Sequence, residues 1–290
     1  MKPALARIQV QDTQGLQWAL VSAGRFTLLD CAGLDDRSVI AAFVEGGLVA
    51  RQLSLEMGLD EAVMAVPLPA GAALYGVGLN YADHAKEVGR EVPEEPHFFL
   101  KAPGSVAASG APLVRPRFDA TLDYEGELAV VIGKTCRYVP ESRAEEVIAG
   151  YAVCNDVTLR SLARPPTLLL AKSGPSMGVV GPWIQPLPMQ HAADLQLQTW
   201  VNDELRQDSG SAQMVHKIPR LVARLSRAIT LRPGDVIATG APFGSGVSFD
   251  PPRYLRAGDR VRVRLQDVGE VENTVMDEQL PQGIDYGACR

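Results

Sequence analysis

The chain predicts a β-rich α+β fold. Most of its hydrophobic residues sit in short apolar or alternating runs rather than in long stretches of 3.6-residue periodicity. Its 27 Gly and 21 Pro punctuate those runs, as a fold with many tight turns requires. At 290 residues, 46% of them hydrophobic, it is long enough for one large domain with an appendage.

Residues 1–70 read as a small N-terminal α/β accessory domain. Ile8-Gln9-Val10 and Trp18-Ala19-Leu20-Val21 read as strands. Asp35-Asp36-Arg37-Ser38, followed by the apolar run Val39 to Val44, reads as a capped helix. No catalytic constellation falls here, and the linker Val66-Pro67-Leu68-Pro69-Ala70-Gly71 closes the segment.

Residues 71–290 form the predicted catalytic domain. Leu74 to Gly78 is a strand running into a glycine turn, Asn80 to Val88 has helical character, and Phe98 to Lys101 is a strand. After a Gly/Ser/Pro loop comes Asp123-Tyr124-Glu125-Gly126-Glu127, leading into the buried-strand run Leu128 to Gly133. Residues 142–147 and 221–228 read as helices. Leu195 to Val201 alternates and ends in Asn202-Asp203-Glu204, a hairpin signal. Two late strands enter through the Gly-Asp pairs at 234–235 and 258–259.

Side chains on a strand repeat with period two, so Glu125 and Glu127 share a face, and Gly126 adds no bulk between them. Asp156 ends the strand-like run Gly150 to Asn155. Unpaired buried carboxylates are costly. Two same-face glutamates with a strand-end aspartate therefore suit a hard divalent cation such as Mg²⁺, with Mn²⁺ or Ca²⁺ as alternatives.

Composition excludes other classes. The net charge is −6 and basic residues are scattered, so nucleic acid has no electrostatic footprint. No apolar stretch reaches the length of a membrane span, and the start lacks a secretory layout. Cys31, Cys136, Cys154 and Cys289 are far apart, as reduced thiols of a cytoplasmic protein would be. Gly244-Ser245-Gly246 lacks the spacing and lysine of a nucleotide loop and reads as a turn.

Seven motifs occur in an order that resembles the fumarylacetoacetate hydrolase superfamily. They are Gly78-Leu79-Asn80-Tyr81-Ala82-Asp83-His84, Phe99-Leu100-Lys101, Asp123 to Glu127, Asn155-Asp156-Val157-Thr158, Lys172-Ser173, Gly181-Pro182-Trp183 and Thr239-Gly240-Ala241-Pro242. The resemblance covers roughly residues 74–275 and implies a mixed β-roll or barrel with flanking helices, usually homodimeric. It implies Glu125, Glu127 and Asp156 as metal ligands and Lys172, His84 and Glu87 as catalytic residues. His84 and Glu87 would lie on a lid helix as a water-activating pair. Arg160, Tyr81, Lys101 and Thr239 follow as substrate-binding residues, Lys101 supporting the site from outside the ligand set. Asn80 stands where some relatives place a further aspartate and is not counted as a ligand, and His97, His191 and His216 read as structural.

Three carboxylates leave part of an octahedral shell for a chelating small-molecule substrate. The implied activity is Mg²⁺-dependent hydrolysis of a C–C bond in a 2-oxo acid or acylpyruvate-like dicarbonyl, through a metal-bound enolate. Isomerisation, decarboxylation or dehydration of a 2-oxo or 2-hydroxydienoic acid through the same enolate is the alternative, and an inactive binding protein a further one. The chain departs from the resemblance at two places. Ser161 and Ala163 stand where the pattern carries Asp and Gln, and Lys172-Ser173 is followed by Gly-Pro-Ser rather than Phe-Asp. In hydrolases of the family that glutamine helps position the reacting oxygen. Both departures predict a bulkier or less polar substrate.

Overall fold

The computed structural model of the chain describes residues 1–10 and 15–279. The N-terminal segment contains β1 (Ala4–Val10), β2 (Gln17–Ser22), β3 (Arg25–Leu29), α1 (Asp36–Val44), β4 (Gln52–Gly58) and β5 (Ala62–Met64). The predicted cap is present: the Asp35 carboxylate accepts from Ser38 N–H at 2.7 Å.

The larger part begins with β6 (Leu74–Gly78), α2 (Ala82–Glu87), β7 (His97–Lys101), β8 (Val106–Ala107), β9 (Leu113–Arg115) and β10 (Leu122–Asp123). Then follow β11 (Gly126–Ile132), β12 (Ile148–Asp156), β13 (Thr158–Leu159), α3 (Leu168–Lys172), β14 (Gly178–Gln185) and α4 (Met189–Ala192). The hairpin of β15 (Gln196–Val201) and β16 (Glu204–Gly210), α5 (Ile218–Ala228), β17 (Val236–Ala238), β18 (Arg260–Leu265) and β19 (Gly269–Asp277) complete it. The helix expected over 142–147 is a 3₁₀ stretch, Glu141–Val147.

One large sheet has the order β4-β3-β2-β1-β14-β12-β11-β17-β6-β7, with β5 beside β1 and β8 beside β14. A smaller sheet runs β16-β15-β18-β19-β9, and β10 pairs with β13. Of the roll and barrel forms, the roll is what the strands make: β4 and β7 end the large sheet without pairing to each other.

Every residue of β11 is buried. Leu128, Val130 and Ile132 pack in one core with Leu197, Val263 and Leu265 of the small sheet. Ala129 and Val131 pack in a second core with Leu5, Val39, Ile40 and Leu74. Cover on both faces is why this strand reads as a continuous apolar run rather than an alternating one. The sheet also crosses the predicted boundary near residue 70. β1 pairs with β14 at Leu5↔Ile184, so the N-terminal strands extend the sheet that carries the carboxylates.

No helix among the described residues is long and apolar enough to cross a membrane. Cys31, Cys136 and Cys154 are free thiols; Cys289 lies outside the described residues.

Candidate active site

β11 and β12 pair antiparallel with Gly126 opposite Asn155 and Glu127 opposite Cys154. That register brings Glu125, Glu127 and Asp156 to one face, each buried and each offering an oxygen within 4.8 Å of the others. Gly126 faces the other way. Its N–H donates to Gln207 Oε1 at 2.9 Å, and a Cβ there would fall onto Thr199, Val263 and Gln207. The small sheet thus packs directly on the backbone between the two glutamates. Asn155 Oδ1 accepts Glu125 N–H at 3.1 Å, and Gly240 N–H donates to Glu127 Oε2 at 2.7 Å.

Three cationic side chains surround the cluster. Lys172 Nζ, at the C-terminal end of α3, lies 2.5 Å from Glu125 Oε2 and 2.6 Å from Asp156 Oδ2. It also sits 5.0 Å from the centre of the Phe99 ring. Lys101, fully buried on β7, donates to Asp156 Oδ1 and to Val157 O. Arg160 places Nη1 at 2.7 Å from Glu125 Oε1 and Nε at 2.7 Å from Asp123 Oδ2, while its buried Nη2 has no hydrogen-bond partner among the described residues.

The carboxylates are not equally matched. Burial disfavours ionised Glu125, but Arg160, Lys172 and His84 outweigh it and hold this group far below the usual range. Glu127 is pushed well up, by burial first and then by Asp156 and Glu125. Burial also lowers Lys101, against the pull of Asp156, whereas Asp156 and Glu125 overcome the same effect at Lys172 and raise it. Glu127 is therefore the one carboxylate of this all-oxygen set that no cationic side chain among the described residues pairs directly. The residues fit a divalent cation, which Glu125, Glu127 and Asp156 would hold.

Above this cluster α2 presents His84. Its Nδ1 is 2.7 Å from Glu87 Oε2 and its Nε2 3.6 Å from Glu125 Oε1. Glu87 also accepts Gly244 N–H at 2.9 Å. Burial works against its charge, but hydrogen bonds from His84, Ser248 and Gly244 prevail and hold it below its ordinary value. Residues 239–248 prove to be more than a turn. Gly246 and Val247 N–H donate to Asp123 at 2.7 and 3.0 Å, so one loop cradles both the carboxylate behind His84 and the carboxylate behind Arg160. Gly244 needs its freedom here: its φ is +104°, and a Cβ would strike Arg206 O.

The three carboxylates, Lys172, Arg160 and His84 line a cavity of about 310 Å³. Three residues expected at the substrate do not line it. Tyr81 lies in the core ahead of α2, its buried hydroxyl without a partner; Thr239 spends its hydroxyl on Leu128 O at 2.9 Å; Lys101 stands behind Asp156. Asn80 is structural, bonding His216 and Thr239 backbone. His191 pairs with Asp267 and His216 with Pro93 O, but His97 lines the cavity. Arg90 and Arg164 line it as well, and no motif marked them.

The fumarylacetoacetate (FAA) hydrolase C-terminal family profile matches residues 73–276. The chain belongs to the fumarylacetoacetate hydrolase family. Oxaloacetate tautomerase YisK of Bacillus subtilis is 37% identical over 229 residues, covering 77% of this chain and 76% of that protein. The 4-hydroxyphenylacetate degradation bifunctional isomerase/decarboxylase of Salmonella dublin is 41% identical over 218 residues, 73% of this chain; these span about half (49%) of that longer relative. Among solved structures, maleylpyruvate hydrolase from Sphingobium sp. SYK-6, in complex with manganese(II) ion and pyruvate, superposes with a TM-score of 0.75 at 28% identity, over 95% of this chain and all (100%) of that one. Members of this fumarylacetoacetate hydrolase family thus include tautomerases, isomerases, decarboxylases and hydrolases.

Proposed function

We propose that this chain is a divalent-cation-dependent enzyme that moves a proton at the carbon beside the oxo group of a 2-oxo acid, as a tautomerase or isomerase. The observation that carries this reading is the His84–Glu87 pair: a buried imidazole, anchored at 2.7 Å by a carboxylate, with its free nitrogen facing the carboxylate cluster. A bound Mg²⁺ or Mn²⁺ would supply Lewis acidity toward the oxygens of the 2-oxo acid. The chain's own groups do the rest. Lys172 and Arg160 set the charge of the site, and the unpartnered Arg160 Nη2 is available to a substrate carboxylate. His84 Nε2 takes and returns the proton, and Glu87 fixes the orientation of the ring.

Hydrolysis, the activity expected from sequence, is the second reading. The same pair can draw a proton from water, and the maleylpyruvate hydrolase covers nearly the whole chain. We rank it second for one reason: Ala163 lines the cavity where the hydrolase pattern carries a glutamine, so that amide is missing for a reacting oxygen. The homodimer that the resemblance implies, and the cytoplasmic location that the widely spaced cysteines suggest, are carried with this proposal.

The deciding experiment is proton NMR in D₂O on the Mg²⁺-loaded protein. Deuterium entering C3 of a 2-oxo acid without chain cleavage is the expected result. Release of pyruvate from an acylpyruvate at a rate matching or exceeding exchange would move the assignment to hydrolysis.

A further inference from the structure

We propose that Phe99 is a positioning residue for Lys172: the face of its ring holds the ammonium group, so that Lys172 keeps its place in the cavity when a divalent cation shares Glu125 and Asp156. This rests on the divalent cation of the reading above, not on its proton transfer, and adds a residue to the site.

Lys172 and the cation are rivals for the same atoms. Among the described residues, Lys172 Nζ donates only to Glu125 Oε2, at 2.5 Å, and to Asp156 Oδ2, at 2.6 Å, and both carboxylates belong to the ligand set. Lys101, the other lysine on Asp156, is also held by the carbonyl of Val157. Lys172 has no such carbonyl among the described residues. Its helix does little to fix it. α3 is five residues long, Thr167 at its start makes no side-chain cap, and it buries only Ala171 and Lys172, leaving Leu169 and Leu170 exposed. A single turn of this kind has little stability of its own. Once a cation shares the two carboxylates, their hold on Lys172 weakens, and two positive charges repel at close range.

The ring of Phe99 is a partner that the cation does not claim. Its centre lies 5.0 Å from Lys172 Nζ, within reach of a cation–π contact. Phe99 stands opposite Gly76 in the pairing of β6 and β7, and a Cβ on Gly76 would overlap Cζ, Cε1 and Cε2 of the ring. The far edge of the ring therefore rests on bare backbone, and a side chain at position 76 would push it away. Phe99, Lys172, Glu125 and Asp156 line one cavity, so an ammonium kept on the ring still offers its N–H donors to the oxygens of a 2-oxo acid.

The test replaces Phe99 in the full chain with mono-, di- and trifluorinated phenylalanine, which nearly keep the shape of the ring while draining negative charge from its face. Mn²⁺ affinity is read by calorimetry, with Lys172 present and in Lys172→Met. With Lys172 present, affinity should fall stepwise along the series, by about fivefold at the trifluorinated ring, the scale of a desolvated cation–π contact. An ammonium that loses the ring competes harder for Glu125 and Asp156. In Lys172→Met the rival is gone, and affinity should stay level along the series. A level series with Lys172 present, or a fall that persists in Lys172→Met, overturns the proposal and leaves the divalent-cation reading standing. No Mn²⁺ binding by any of these proteins overturns that reading, and this proposal with it.

Discussion

His84 Nδ1 lies 2.7 Å from Glu87 Oε2, and Gly244 N–H holds the same carboxyl group from the far side. The imidazole can therefore neither rotate nor withdraw without breaking a buried hydrogen bond. If His84 is the acid–base group, His84→Ala should lower kcat for C3 exchange by roughly 10²–10⁴-fold. Glu87→Gln should lower it less, since it keeps the packing and loses the charge. Hydrogen exchange over residues 80–95 should slow on substrate binding. An unchanged kcat in His84→Ala would assign the proton transfer to another group.

The carboxylates should respond to substitution with opposite signs. Asp156→Ala removes the anion that Lys101 and Lys172 share, leaving Lys101 a buried charge without its partner, at a cost of about 3–5 kcal/mol. Among the described residues no cationic side chain is bonded to Glu127, so Glu127→Gln should leave the metal-free protein as stable as wild type or more so. Both variants should lose Mg²⁺ or Mn²⁺ binding by calorimetry, and chelator-treated wild type should lose activity until either ion is restored. Equal destabilisation of the two variants in thermal melts would refute this account of the charges.

Metal affinity should rise with pH. Glu127 ionises above its ordinary range because burial and two neighbouring carboxylates oppose its charge. The folded, metal-free chain thus keeps a proton that the unfolded chain gives up near the usual carboxylate value, and this group's contribution to stability declines as pH rises past that value. Only the ionised form ligates, so binding must expel the proton, and affinity should climb by about tenfold per pH unit while it does. Calorimetry in buffers of differing ionisation enthalpy reads the released proton directly. A pH-independent affinity with no proton release would contradict the raised ionisation.

Ala163 lines the cavity near Arg164 and puts a methyl group where the hydrolase pattern has an amide. Ala163→Gln should raise cleavage of small acylpyruvates relative to C3 exchange, because a hydrogen-bonding donor discriminates strongly for a substrate oxygen. Pyruvate release measured with a coupled assay decides it; an unaltered ratio would mean that residue 163 does not select the reaction.

Much of this site could be read from the chain because its parts are local. Glu125, Glu127 and Asp156 share a face through the period of a strand, and His84 and Glu87 meet through one turn of a helix. Lys172 was legible as a site residue through its motif, but Leu168 to Ala171 did not announce a helix; a short apolar run has no decisive period, and Leu169 and Leu170 are exposed. Asp123 sat inside a recognised motif without an evident task, since its partners Gly246 and Val247 come more than a hundred residues later. Arg90 and Arg164 fall on no motif, and only the fold brings their two loops to one cavity. Tyr81 and Thr239 carried motif positions yet face the core, packing at the start of α2 and at the end of β17 rather than against a ligand.

The pairing of β1 with β14 makes the first seventy residues hard to dispense with. Without them the outer edge of β14 near Ile184 would present unpaired backbone groups, and Ile184, Val180 and Cys154 would lose the apolar cover that Leu5 and Leu20 help to provide. A chain beginning at residue 71 would retain every site residue and still offer a ready template for strand addition by another copy of itself. We expect it to form larger assemblies on size-exclusion chromatography than the full chain does, so the N-terminal strands act as a guard against aggregation as well as an extension of the sheet.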